Sequence, residues 1–194
     1  MSTKSRILVL ISAVMLLGVF FFPIWKIDLV APQYPEGIGL RIWVNQITGY
    51  KEFDLRNING LNHYIGMKRI EPESIPELKI MPYIIAGFIL LGLMAAALKN
   101  RKIVAAWILL FLITLGIGFY DYYMWGYDYG HNLDPKAAIR VPGLTYQPPL
   151  IGSKQLLNMK AMSIPDISIY LIVFSITLAI VALYIDKKSS KEKT

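Results

Sequence analysis

Hydrophobic and polar positions divide this 194-residue chain into four long apolar runs separated by polar segments. None of the runs contains Lys, Arg, Asp or Glu. Each approaches the length of about 20 residues that an α-helix needs to cross a hydrocarbon core roughly 30 Å thick. The pattern therefore predicts an all-α membrane protein with four transmembrane helices. The predicted spans are Ile7–Trp25, Met81–Leu98, Ile103–Tyr120 and Ile167–Ile185.

The polar segments predict a single membrane domain, 1–194, with two structured loops on one side of the membrane. In the first loop, Arg41–Ile47 and Tyr50–Leu55 alternate apolar and polar residues on either side of Thr48-Gly49, which indicates a β-hairpin. The second loop is rich in proline and glycine, which favours a fixed, extended path. The predicted segments are an outer loop 26–80, an inner turn 99–102, an outer loop 121–166 and a basic tail 186–194.

The net charge of +7 lies entirely on the segments that would share one side of the membrane. The N-terminus, the 99–102 turn and the tail hold nine basic and two acidic residues, whereas the remaining segments hold 11 of each. An excess of Lys and Arg marks the cytoplasmic side. We therefore expect a bacterial inner-membrane protein with both termini in the cytoplasm and lipid as the partner of its spans. A basic cluster beside a membrane helix does not call for nucleic acid.

The first run could instead be a cleaved signal peptide, because its flank is basic. Its apolar stretch of about 19 residues exceeds the usual signal core, and no small-x-small site follows Trp25. We therefore predict a retained helix. The absence of cysteine excludes disulfides, thiolate metal sites and a cysteine nucleophile. The spans also lack the ionisable residues that a proton relay or ion-coupled transport needs. In the loops, Ser74 and Ser153 have no recognisable neighbouring base or nucleophile elbow, so we expect no enzymatic activity.

His63 and Met67 are the residues whose chemistry best suits a metal. They stand four positions apart and would share one face of a helical turn. An imidazole and a thioether together suit copper, Cu(I) in particular, better than hard cations. His131 in the second outer loop could complete such a site if the two loops meet. The ordinary alternative is that these histidines make loop hydrogen bonds and that the methionines fill packing gaps.

Aromatic and proline residues in the outer loops provide a candidate surface for a protein partner. Rigid side chains of this kind contribute protein–protein contacts at a low entropic cost. The alternative is that they pack the two loops against each other. The candidate partner-binding residues are Tyr64, Tyr146, Pro148 and Pro149.

Four stretches of the chain resemble an uncharacterised bacterial family of four-helix membrane proteins, of the Bacteroidetes type, associated with genes for nitrous oxide reductase maturation. The resemblance covers nearly the whole chain and implies an inner-membrane protein whose outer loops serve a periplasmic copper enzyme. The stretches are Ala31–Gly37, Asn57–Met67, Gly130–Pro135 and Tyr146–Leu157.

The sequence and the resemblance together lead to two hypotheses. The first is a non-catalytic accessory protein whose periplasmic loops dock a partner, in copper-site assembly or in electron supply to a reductase such as nitrous oxide reductase. The second is a structural subunit of a multi-subunit respiratory or transport complex. Stable co-purification would favour the subunit, and transient capture would favour the accessory protein.

Overall fold

Five α-helices and a five-stranded antiparallel sheet make up the computed structural model, which describes residues 1–139 and 141–191. Within these residues, four of the helical segments are long and apolar enough to cross a membrane. The helices are α1 (Thr3–Met15), α2 (Asp54–Ile65), α3 (Pro76–Leu98), α4 (Arg101–His131) and α5 (Ile167–Lys191). The strands are β1 (Trp25–Ala31), β2 (Tyr34–Ile42), β3 (Ile47–Gly49), β4 (Gly152–Leu156) and β5 (Met159–Pro165).

The long helices pack as a ring: α1 contacts α3 and α5, and α4 contacts α3 and α5 on the other side. Small residues allow close approach, since a Cβ at Gly92 would lie 2.8 Å from the Ala13 side chain. Two paired hydroxyls join α1 to α5: Ser12 Oγ donates to Ser175 O at 2.6 Å, and Ser175 Oγ donates to Ser12 O at 2.8 Å. Packing of small residues and interhelical hydrogen bonds are the interactions that hold helices together in lipid.

All four predicted spans have different ends in the structure. The first run is α1 followed by a 3₁₀ segment, Leu16–Phe20, and Trp25 opens strand β1 instead of ending a helix. Pro23, which lacks an N–H and restricts the backbone, separates the two. Helix α3 begins five residues before the predicted span. Helix α5 continues to Lys191, so most of the predicted tail is helical; residues 192–194 lie outside the described part.

Helix α4 differs most, because it continues 11 residues beyond the predicted boundary at Tyr120. Its 31 residues span about 46 Å at a rise of 1.5 Å per residue, against roughly 30 Å for a hydrocarbon core. The aromatic segment after Tyr120, predicted as the start of an outer loop, is therefore the last part of this helix.

The two predicted outer loops form one sheet with the strand order β3-β2-β1-β5-β4. The prediction of an all-α protein is wrong on this point. A hairpin is present, but its strands are β2 and β3, and its turn is closed by Trp43 N donating to Gln46 O at 2.8 Å. The predicted second strand, Tyr50–Leu55, instead forms a turn and the first residues of α2. Strand β1 is central and pairs with β5 from the second loop.

The sheet is joined to the first and last spans by backbone hydrogen bonds. Asp166 N donates to Ile24 O at 2.9 Å, and Ser168 N donates to Pro23 O at 3.0 Å. Trp25 of β1 pairs with Pro165 of β5 at this junction. We use the term cap for the sheet together with α2, the end of α4 from Tyr122 to His131 and the segment 132–151.

Candidate ligand-binding cavity

The inner face of the sheet is apolar because residues of one parity along each strand point toward α2 and α4. Ile27 pairs with Leu40 on β2, and Leu29 pairs with Ala161 on β5, so their side chains form a continuous row. Side chains of Ile58, Leu61 and Ile65 on α2 face the same space. Because α2 and α4 cover the row without filling it, a cavity remains.

A water-sized sphere can occupy about 80 Å³ of this cavity, whose mouth opens to solvent. One water molecule needs roughly 10–15 Å³ measured in this way, so the cavity can hold a small group of ligand atoms. No charged side chain lines it within the described residues. The lining residues are Ile27, Leu29, Leu40, Ile58, Leu61, Asn62, Ile65, Met67, Ile70, Trp125, Gly126, Tyr129, Tyr146, Pro148, Leu156, Met159 and Ala161.

A buried carboxylate attaches α2 to the sheet and so forms one wall of the cavity. Asp54, which is 2% exposed, accepts hydrogen bonds through Oδ2 from Gly39 N at 2.9 Å and from Lys51 N at 3.1 Å. A carboxylate in the first turn of a helix also interacts favourably with the helix dipole. At the other end of α2, Gly66 has a left-handed backbone, with φ of 80°, and ends the helix.

The second wall is the end of α4, where glycine permits an unusually close approach. A Cβ at Gly130 would lie 2.3 Å from the backbone of Gln147, so a larger residue would push the 146–147 segment away. Gly130 O accepts a hydrogen bond from Tyr146 N at 3.0 Å. These contacts place the ring of Tyr146 in the cavity lining. One turn earlier, the buried Gly126 has nothing within 4 Å of its Cβ position, and it borders the open space.

Two of the polar side chains in the lining are paired, and two are not. Asn62 Nδ2 donates to Lys68 O, and the Tyr129 hydroxyl donates to Arg69 O. The Tyr146 hydroxyl and Trp125 Nε1 are buried and make no hydrogen bond with any described residue.

The unpaired atoms differ in how completely they are isolated. Tyr146 is 1% exposed, and burial raises the pKa of its hydroxyl, which therefore stays protonated. Trp125 packs beside Tyr129, with ring centroids 4.5 Å apart, and the two polar groups are close enough to influence each other. Their geometry falls short of a hydrogen bond, but the Tyr129 hydroxyl, which donates to Arg69 O, keeps lone pairs that can accept from the indole N–H. Buried polar groups are paired in most proteins, so the Tyr146 hydroxyl is the group that points to a missing acceptor.

The predicted metal ligands lie in three different settings. His63 is exposed on α2, with its ring edge-on to Tyr64 at 6.0 Å. Met67 follows the helix end at Gly66 and packs inside the cap, where it lines the cavity, so the two do not share a helix face as expected. His131 ends α4, stacks on Tyr127 at 3.9 Å and bonds to Tyr127 O through Nδ1.

Histidine, aspartate and glutamate side chains form no group of three that could hold a metal within the described part of the chain. A copper site that uses Met67 together with a histidine stays a prediction.

The four predicted partner-binding residues divide in a similar way. Tyr64 is 57% exposed and available to a partner. Tyr146 is buried, and Pro148 lines the cavity beside it, so both serve the packing of the loops instead of an outer surface. Pro149 is partly buried in a shallow recess between α4 and Gln147. Partner binding by Tyr64 stays a prediction.

The four spans and the cap together define the class of this chain: a multi-pass membrane protein with a mixed helix-and-sheet cap at one end of its helices. Comparison with protein-family models, curated proteins and solved structures gives no match. The resemblance to a family linked with nitrous oxide reductase therefore stays an expectation.

Proposed function

We propose that this chain is a non-catalytic accessory protein of a bacterial inner membrane, whose cap lies outside the cytoplasm and binds an apolar small molecule in its cavity. The observation that carries the proposal is the cavity itself, with an apolar lining and the buried Tyr146 hydroxyl, which has no hydrogen-bond partner among the described residues. An apolar pocket with a few convergent polar groups is the usual form of a small-molecule site.

The orientation in this proposal rests on charge and on which segments meet. The N-terminal amine donates to Lys99 O at 3.1 Å, and Ser2 N donates to Asp186 Oδ1 at 2.7 Å. The three basic segments thus gather at the end of the bundle opposite the cap, and their excess of Lys and Arg favours the cytoplasmic side.

Binding is tested by filling the cavity from Gly126. Gly126→Leu adds a side chain where a Cβ has nothing within 4 Å, whereas Gly116→Leu adds the same side chain on an exposed face of the same helix. Native mass spectrometry of protein purified from its own membranes should show a bound small molecule in the wild type and in Gly116→Leu. The adduct should be absent in Gly126→Leu. An adduct of equal occupancy in all three proteins would refute binding in this cavity.

Orientation is tested by labelling, since the chain contains no cysteine. Tyr64→Cys places a thiol on the exposed surface of α2, and Asn100→Cys places one at the opposite end without changing the net charge. A membrane-impermeant maleimide added to intact spheroplasts should label the first variant and not the second. The reverse result would put the cap in the cytoplasm.

Copper binding is a separate proposal, which rests on the predicted ligands His63, Met67 and His131. Purified wild-type protein that takes up Cu(I), with loss of uptake in His63→Ala and in His131→Ala, would support it. Asn57→Ala, a change on α2 outside the proposed ligand set, serves as the control. Uptake that is absent in the wild type, or unchanged in the two histidine variants, would remove these histidines as ligands.

A structural subunit of a larger complex is the second candidate, and the surface of α4 favours it. Only 22% of the apolar segment of α4 is buried in the bundle, against 33% for each of the other spans. Leu109, Ile113 and Ile117 are among the large residues left exposed. Lipid would cover this face in a monomer, and a neighbouring subunit would cover it in a complex. Cross-linking from Ile113→Cys in native membranes distinguishes the two.

A further inference from the structure

If the cavity binds a small molecule, as proposed above, its lining limits the chemical class of that molecule. The Tyr146 side chain is buried in the lining, and its hydroxyl, which has no partner among the described residues, has its hydrogen free to donate. A complementary ligand therefore presents an acceptor oxygen. A pure hydrocarbon would leave this hydroxyl unpaired.

The charge of the acceptor is limited by the rest of the lining. No lysine, arginine or histidine lines the cavity within the described residues. An ionised carboxylate bound there would be buried without a counter-charge, which is far more costly than burying a neutral group. A neutral carbonyl, as in an ester, satisfies the Tyr146 hydroxyl without that penalty. The acceptor is thus expected to be uncharged.

The shape of the ligand follows from the walls. Aliphatic side chains of β1, β2 and α2 line much of the space, and Tyr146 in the segment before β4 carries the unpaired hydroxyl. A molecule with an apolar chain and one polar end matches this division. Acyl esters of this kind are the building blocks of the bilayer in which the four spans lie.

We propose that the cavity binds the ester end of a lipid acyl chain, whose neutral carbonyl accepts a hydrogen bond from the Tyr146 hydroxyl while the rest of the chain extends through the open mouth. Met67 and Met159 contribute adaptable apolar surface to the same site. The three residues come from β5 and the two segments that follow α2 and precede β4, so an intact cap is required.

The experiment uses the full-length protein in phosphatidylcholine nanodiscs at about pH 8. The probe is the methyl ester of a decanoic acid that carries a photoreactive diazirine on its chain, and cross-links are mapped by peptide mass spectrometry. Methyl decanoate, sodium decanoate and decane then compete at matched mole fractions in the bilayer. We expect cross-links on the lining residues, and the ester to compete about three- to tenfold better than decane, as expected for one hydrogen bond.

Variants separate the cavity from the bilayer and the carbonyl from the chain. Gly126→Leu should abolish the mapped cross-links, and Gly116→Leu should retain them. Tyr146→Phe removes only the hydroxyl, so it should weaken the ester about three- to tenfold and leave competition by decane unchanged. Amide hydrogen exchange of β5 and α2 that matches the wild type would show that this variant keeps the cap folded.

Each outcome bears on a distinct claim. No cross-link to the lining in the wild type would overturn both the proposed function and the ester inference. Cross-links that decane and the ester displace equally well would keep an apolar site and overturn the role of the carbonyl. Decanoate as the best competitor would overturn the neutral acceptor in favour of a free fatty acid.

Discussion

Replacing Asp54 by alanine tests how α2 is held against the sheet. The side chain is almost completely buried, and its Oδ2 accepts from the backbone N–H groups of Gly39 on β2 and Lys51 in the preceding turn. Alanine removes both acceptors and leaves the backbone in place. The change therefore acts on the contact that fixes one wall of the cavity, far from the spans.

The magnitude follows from the two hydrogen bonds. Gly39 N is in a buried environment, and an unsatisfied buried donor costs about 1–3 kcal/mol. Lys51 is exposed, so water replaces most of its lost bond and the net loss is about 0.5–1 kcal/mol. Loss of a negative charge at the first turn of α2 adds about 0.3–1 kcal/mol. Together, Asp54→Ala should destabilise the docked state of α2 by about 2–5 kcal/mol.

Amide hydrogen exchange measured by mass spectrometry in nanodiscs detects this loss locally. If α2 exchanges through opening of the cap, its amides should exchange roughly 30- to 4,000-fold faster in Asp54→Ala, while α1 and α5 stay protected. Glu52→Ala is the matched control, because it removes an exposed carboxylate two residues away. Exchange of α2 that changes by less than about twofold relative to Glu52→Ala would refute the proposed anchoring role.

Three further predictions concern single hydroxyls. Ser12→Ala and Ser175→Ala should each lower the stability in detergent by about 0.6–1.7 kcal/mol per lost interhelical hydrogen bond. Thr114→Ala is the control and should leave the stability unchanged, because the Thr114 hydroxyl bonds within its own helix. Ser163→Ala should lower the free energy of unfolding by about 1–3 kcal/mol, because the buried Trp25 Nε1 that donates to Ser163 Oγ loses its acceptor. Thermal unfolding measures this loss. Tyr146→Phe should leave the thermal stability of ligand-free protein equal or higher, because its hydroxyl has no partner; a clear loss would refute the unpaired state.

The spans were predictable because their signal is local. Runs without charged residues predicted α3, most of α4 and α5, and only the ends of these helices differ in the structure. The first run was predicted too long because hydrophobicity continues through Trp25, although Pro23 marks the break. From Trp25 onward, apolar residues alternate with Lys26 and Asp28, which is a strand pattern, and the run of apolar residues before it concealed that signal.

The sheet was only partly predictable because its central pairing is non-local. Trp25 and Pro165 are 140 positions apart, and the alternation of apolar and polar residues within a strand does not indicate which other strand it pairs with. The continuation of α4 was missed for a different reason. Tyrosine and tryptophan after Tyr120 are typical of the membrane interface, yet here they pack on the sheet, and Tyr122 bonds to Ser163.

The candidate cavity could not be predicted because it depends on contacts between segments distant in sequence. Tyr146 was expected on an outer surface, and its burial follows from the close approach of Gln147 to Gly130. The glycines at 126 and 130, one helical turn apart, were the available signal, since small residues on one helix face indicate close contact or open space. Asp54 was assigned to a strand, so its anchoring role was also missed.

The central position of β1 has a consequence for how the protein is made. This strand is synthesised directly after the first span, but its neighbour β5 emerges only after the third, immediately before the last. Until then, one edge of β1 has no hydrogen-bonding partner, and the nascent cap exposes a row of free backbone groups to proteases and to other chains. Completion of the fold thus coincides with the arrival of the final helix, and a chain truncated before residue 159 would keep all of β1–β3 yet leave that edge open.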